Sequence, residues 1–234
     1  MVSRDSVRIT LKISALNELY VLACDIQNAY LTADCRERLW LVAGTKFGYE
    51  AGKNMLTRKA LYVSKISGAA FRVFLEETLD AMGHCPSYAN PDLWLRPAVK
   101  PDGFEYYEYI LCYIDDVLYI SHNQRKSMKR IQEYFKLKDN KIEPPGIYLG
   151  DTLDTMKLES GKYCWTMSPE KYMKAAVTNV EEDFARSGKR FFPKCVTPLS
   201  SNYAPWLDYS PELMADGVQQ YQELIVQIRW YVEI

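Results

Sequence analysis

Hydrophobic and polar positions in this chain repeat with two different periods, and the switches between them mark out its elements. Ser6 to Leu16 carries its apolar residues at helical spacing and reads as a helix. Tyr20 to Ile26 is a nearly continuous apolar run containing one acid, Asp25, as expected of a strand covered on both faces. A short turn or helix follows through Tyr30 to Asp34. Arg38 to Val42 and Leu56 to Leu61 read as strands flanking a loop with several glycines and lysines. Phe71, Phe74, Leu75, Leu79 and Met82 recur at helical spacing, and Gly83 ends that helix. Between Tyr106 and Ser121 two tyrosine-rich apolar runs are separated by Asp115 and Asp116, the pattern of a strand-turn-strand hairpin. Met128, Ile131, Tyr134 and Phe135 mark a further helix. The order strand, helix, strand, strand, helix predicts an α+β fold.

Beyond residue 140 the pattern changes. Glu143-Pro144-Pro145-Gly146 breaks the chain, and strand-like runs from Ile147 to Leu158 and Tyr163 to Met167 flank a turn signal at Glu159 to Lys162. Ser168 reads as an N-cap with Pro169 at the first helical position, opening a helix whose Tyr172, Ala176, Val177 and Val180 share a face. A proline-containing linker, Phe192 to Pro211, leads to a last amphipathic helix from Val218. There is no internal repeat and no low-complexity tract.

Candidate chemistry centres on the acids. An Asp-Asp pair alone reads more readily as an ordinary turn, since Asp bonds its own backbone two residues on. Two acids at a half-buried hairpin tip repel each other, however, and a third at the end of a separate strand sharpens the need for a cation. Oxygen-only donors of this kind suit Mg2+, which keeps waters and substrate phosphates in its shell.

These residues carry a resemblance. Asp25-Ile-Gln-Asn-Ala-Tyr30-Leu31 resembles the first catalytic motif of reverse transcriptases of copia-type LTR retrotransposons, and Tyr113-Ile-Asp115-Asp116 resembles their Tyr-x-Asp-Asp box. Lys59-Ala-Leu-Tyr62, Ser67-Gly68-Ala-Ala-Phe71, Asn90-Pro-Asp92-Leu-Trp94, Tyr148-Leu-Gly150, Thr197-Pro198-Leu199 and the Tyr221 to Trp230 stretch are similar to further segments of that family. The likeness keeps one order over nearly the whole chain. It implies a right-hand polymerase palm, an antiparallel sheet with helices on one face, over 1-33 and 62-141. Partial fingers would occupy 34-61, a primer-grip-like hairpin 142-167 and a helical thumb 168-234.

The activity implied is RNA-directed DNA polymerisation by two-metal nucleotidyl transfer from a dNTP to a primer 3′-hydroxyl. The resemblance makes Asp25, Asp115 and Asp116 catalytic and, with the backbone carbonyl of Ile26, ligands of two Mg2+ ions for which Mn2+ can substitute. Tyr30, Ile66, Ser67 and Gly68 would contact the nucleotide. Tyr30 would exclude a 2′-hydroxyl by collision, although the same residue reads as a core tyrosine when taken alone. Tyr113, Tyr148, Leu149, Gly150, Lys189 and Arg190 would contact the primer and template. The implied partners are an RNA or DNA template-primer duplex, dNTPs and other Pol polyprotein segments, with integrase upstream and RNase H downstream. The implied setting is a cytoplasmic virus-like particle. Lys138 and Lys141 are candidate acids for the leaving pyrophosphate, though neither lies in a motif.

Departures from the pattern bear on activity. Val63 stands where that family has glycine, Ile66 where it has Gln or a small polar residue, and Ala69 where it has Arg. Only 24 residues precede Asp25, so the upstream fingers strands are expected to be missing, and the C-terminus stops within a family segment. A piece of a longer polyprotein or a decaying element copy is expected, and polymerisation by the fragment alone is expected to be impaired. The alternative is a catalytically dead nucleic-acid-binding remnant. Another two-metal phosphotransfer enzyme would need histidine chemistry that two histidines scarcely supply.

At 234 residues, with 48% hydrophobic and 25% charged residues, the chain has ordinary globular usage. No apolar run reaches a membrane-spanning length, and no signal peptide is apparent, so a soluble intracellular protein is expected. Six widely spaced cysteines without a CxxC pair argue against zinc or a disulfide framework; Cys24 and Cys112 read as small core residues. The net charge of -1 hides local excesses: Asn123 to Lys141 holds seven basic residues against two acids, and Arg186 to Lys194 holds four with none. Such stretches can contact phosphates, or can simply be solvated helix surface.

Overall fold

Helix α1 (Arg4–Leu16) begins two residues ahead of its expected start because the Ser3 hydroxyl caps it, accepting from the Ser6 amide at 3.2 Å. The structure, a computed structural model, describes residues 2–62, 64–188, 204–207 and 209–232, apart from the side chains of 124, 127 and 230–232. Strand β1 (Tyr20–Asp25) and the single-turn helix α2 (Ala29–Thr32) follow. Strands β2 (Trp40–Val42) and β3 (Asn54–Leu56) then pair antiparallel. The strand expected over Leu56 to Leu61 therefore ends where it was to begin. The loop between β2 and β3 is closed by the Ala43 amide donating to Lys53 and the Gly52 amide to Ala43, which sets Val42 opposite Asn54. Residues 57–61 turn back instead toward the segment after α2, with the Cys35 amide on the Arg58 carbonyl and the Ala60 amide on that of Ala33.

Helix α3 (Ser67–Ala81) leads into β4 (Cys85–Pro86), β5 (Leu93–Val99), β6 (Glu105–Tyr113) and β7 (Asp116–Ser121). With β1 they form one antiparallel sheet in the order β1-β7-β6-β5-β4. Side chains alternate across a sheet, and directly paired residues share a face. Leu22, Cys24, Val117, Tyr119, Ile110, Cys112 and Trp94 thus project together. They form one core with Phe71, Leu75 and Leu79 of α3 and with Met128 and Ile131 of α4 (Gln124–Tyr134). Asp25, Asp116 and Tyr113 are register partners on the opposite face, away from those helices. The chain is thus a mixed α+β protein built on antiparallel pairing, with α3 and α4 on one face of its main sheet and Leu111, Leu118 and Ile120 buried on the other.

The far end of that sheet is pinned by a buried carboxylate. Glu108 is 4% exposed and accepts from Arg96 across the strand pair, from the Tyr119 hydroxyl at 3.0 Å and from the Ser121 hydroxyl. Tyr119 also lies 3.3 Å from His84, whose pKa burial and then the nearby Arg96 push down to about 4.

Strand β8 (Ile147–Tyr148) turns at once into β9 (Asp151–Lys157), and β10 (Tyr163–Ser168) completes a three-stranded sheet. The expected single strand from Ile147 to Leu158 is broken because Leu149 and Gly150 both take positive φ, as in a two-residue type I′ connection. Helix α5 (Glu170–Arg186) starts one residue later than expected. Ser168 ends β10 and Pro169 holds the cap position, although the Ser168 hydroxyl still accepts from the Glu170 amide at 3.3 Å. The chain forms two compact units, Met1–Leu149 with Leu153–Thr166, and Gly150–Thr152 with Met167–Ile234. Within the second unit α5 faces α6 (Ala215–Val232) across an apolar cleft, and Gln220 donates to Asp183 at 2.7 Å. Among the described residues no helix is long and apolar enough to cross a membrane.

Candidate functional site

Asp25 closes β1 because the next residue, Ile26, leaves the β7 ladder: its amide donates to the Asp115 carbonyl at 2.8 Å, and it bridges to Leu137 on the outer side. Asp116 opens β7 directly opposite Asp25, a placement that puts the two Cα atoms about 5 Å apart. Asp115 sits between, in the two-residue turn. That turn holds Ile114 at φ +56°, a conformation a β-branched residue adopts only under constraint, at a cost of about 1 to 3 kcal/mol. Strain of this kind fixes where the two acids emerge.

The electrostatics record the crowding. Burial first, then Asp115 and Asp25, push the Asp116 carboxyl up to about 6, with Lys138 pulling the other way. Burial, followed by Asp115, also raises the hydroxyl pKa of Tyr62. The Cys24 thiol, beneath the site in the core, is pushed up to about 12 by burial, then by Asp25 and Asp116, so it remains a neutral packing group. The acids share one strand end without closing on one another. Among the described residues, no three His, Cys, Asp or Glu side chains are grouped tightly enough to grip an ion as they stand. Asp25 instead meets the Lys138 ammonium, 3.2 Å from Oδ2. The carboxylates of Asp25, Asp115 and Asp116 are hard oxygen donors, the kind that Mg2+ and Mn2+ take.

Tyr30 projects from α2 onto Tyr62 and Phe71, with ring centroids 4.7 and 6.0 Å away. Tyr30, Gly68 and Ile114 line one cavity of about 330 Å³ with Arg72, Asp92 and Cys112. A methyl group added at Gly68 would lie 3.9 Å from the Tyr30 hydroxyl. Ile66 caps α3 and is partly buried. Ser67 is buried, and its hydroxyl is committed to the Leu61 carbonyl. Arg72 and Asp92, with 3.4 Å between Nη1 and Oδ1, border this cavity. Sequence reading gave Arg72 no role, because it lies on a helix among ordinary surface charges; Asp92 was visible only as part of the Asn90 to Trp94 stretch.

Tyr113 is partly buried beside Asp116. Tyr148 is 2% exposed and donates its hydroxyl to the Leu111 carbonyl at 3.1 Å, so its side chain anchors the hairpin from inside. Its hydroxyl pKa is raised well above the usual value, chiefly by that burial. Leu149 is also buried, while Gly150 is exposed in the turn. Val63, Lys189, Arg190 and Thr197 to Leu199 lie outside the described residues. Of the basic run ending at Lys141, Lys138 alone is brought to an acid of this site among the described residues.

No protein-family model matches the chain. It is similar to the retrovirus-related Pol polyprotein from transposon TNT 1-94 of Nicotiana tabacum, with 21% identity over 225 residues, 94% of this chain. The chain spans 15% of that polyprotein's length.

Proposed function

With likeness to a transposon Pol polyprotein extending over most of the chain, we propose that it is a reverse transcriptase segment of a copia-type Pol polyprotein, with the β1-β7-β6 strand ends as its polymerase palm. The observation that carries this reading is the register of Asp25 against Asp116. Two motifs far apart in sequence, each weak alone, meet at one half-buried strand end, on the face of the sheet opposite α3 and α4. The reaction joins the primer 3′-oxygen to the α-phosphorus of a dNTP and breaks the bond to pyrophosphate. Asp25, Asp115 and Asp116 would hold the metal ions. When bound, paired Mg2+ ions neutralise charge on the attacking and leaving oxygens. Tyr30, buttressed by Tyr62 and Phe71, stands as a rigid wall beside the sugar. Ser67 acts through the fold, tying the start of α3 to Leu61, while Gly68 keeps the wall of the cavity low.

Primer extension on poly(rA) with oligo(dT), dTTP and Mg2+ tests the reading. The chain is expected to incorporate nucleotide slowly, with Asp116→Asn slower again by about a hundredfold or more, as positioning losses at a reacting centre commonly are. Salt-dependent duplex binding without extension, indifferent to Asp116→Asn, would identify a non-catalytic remnant instead.

A further inference from the structure

The segment that carries Lys138 is fastened on both sides of it to the free edge of β1. Before it, the Gln27 amide donates to the Lys136 carbonyl at 2.9 Å, Leu137 bridges to Ile26, and Leu137 is 1% exposed in the core. After it, Asp139 and Asn140 both take φ of +53°, turning the chain so that Glu143 exchanges two backbone bonds with Ala23. The Lys138 backbone is therefore held beside the strand end that bears Asp25, and its ammonium reaches Oδ2 at 3.2 Å. An unanchored surface pair of this kind would contribute little, since two long side chains lose freedom to form it. Here the scaffold has already been fixed by bonds that do not involve the lysine side chain. The pair also relieves a specific stress, because Asp25 faces Asp116 with Asp115 alongside.

We propose that Lys138 is a resident counter-ion of the carboxylate site, which holds Asp25 while no divalent cation is bound and with which divalent cations compete for that oxygen. This rests on the reading of the three acids as cation ligands. The lysine thereby keeps the half-buried strand end folded before metal and nucleotide arrive, and it sets how much free cation is needed to load the site.

Thermal melting of the whole chain, without nucleic acid, tests this in EDTA and in millimolar Mg2+. In EDTA, Lys138→Gln is expected to melt about 2 °C below the parent, while Lys138→Arg, which keeps the charge, and Lys141→Gln, which removes a cation from the same loop, match it. Adding Mg2+ should raise Lys138→Gln more than the parent and close the gap. In a Mn2+ titration read by loss of the free-ion EPR signal, Lys138→Gln should bind roughly two- to fivefold more tightly. Equal melting in EDTA, an equal response to Mg2+, or an equal Mn2+ affinity overturns the proposal. Normal primer extension alongside any of these leaves the polymerase reading intact. The expected melting and EPR results without extension leave Lys138 as counter-ion and defeat the polymerase reading instead.

Discussion

At Asp116, burial together with Asp115 and Asp25 holds the carboxyl at a pKa of about 6, above its ordinary value of 3.8. The folded chain therefore binds a proton through that interval which the unfolded chain has released, so this group's contribution to stability is intact below about pH 4 and is lost as pH rises through about 6. Asp116→Asn should remove the penalty along with the chemistry. In metal-free urea unfolding it is expected to exceed the parent by about 1 kcal/mol at pH 8, allowing for solvent at a partly exposed group, with the difference vanishing toward pH 4. A difference that does not change with pH would refute this assignment. Tyr30 makes a second prediction at this scale. Its ring is braced by Tyr62 and Phe71, so Tyr30→Val should open space beside the sugar. The preference for dTTP over UTP in kcat/KM is expected to fall roughly tenfold or more; an unchanged ratio would return Tyr30 to a packing role.

Among the elements, the β6–β7 hairpin and the α3 stripe were legible because their apolar spacing is nearly uninterrupted; α3 follows the pattern, while the hairpin turn falls on Ile114 and Asp115, one residue earlier than the Asp-Asp pair, with Asp116 already paired in β7. Strand β5 was not legible. Arg96 and Pro97 interrupt its alternation, and the arginine is accommodated there by the buried Glu108 on β6 and by the Met82 carbonyl. The β8–β9 break was hidden because Leu149, in a left-handed conformation, looks like any strand leucine. The Lys138–Asp25 contact was invisible for another reason: it depends on segment 136–143 closing the edge of β1, a tertiary event with no local signature. The Glu108 network tests how the sheet holds its far end. Glu108→Ala leaves Arg96 without its carboxylate and is expected to cost about 3 to 5 kcal/mol, read as a fall in urea midpoint at unchanged slope. A change below about 1 kcal/mol would mean that the buried charges contribute little.

At the scale of the whole molecule, one sheet combines two tasks. Its helix-covered face supplies the core, whose Phe71 alone is expected to contribute about 3 to 5 kcal/mol against alanine. Its other face is also buried, at Leu111, Leu118 and Ile120, and carries Asp25 and Asp116 only at a strained, mutually repelling strand end. Proteins retain such local conflict where function requires it, and the conflict here is relieved by positive charge. The measurement that bears most directly on this is Mn2+ binding by the intact chain, compared with Asp25→Asn and Asp116→Asn in the free-ion EPR signal. The account predicts saturable binding by the parent and a loss of affinity of about tenfold or more in each variant. Variants that bind as the parent does would contradict it.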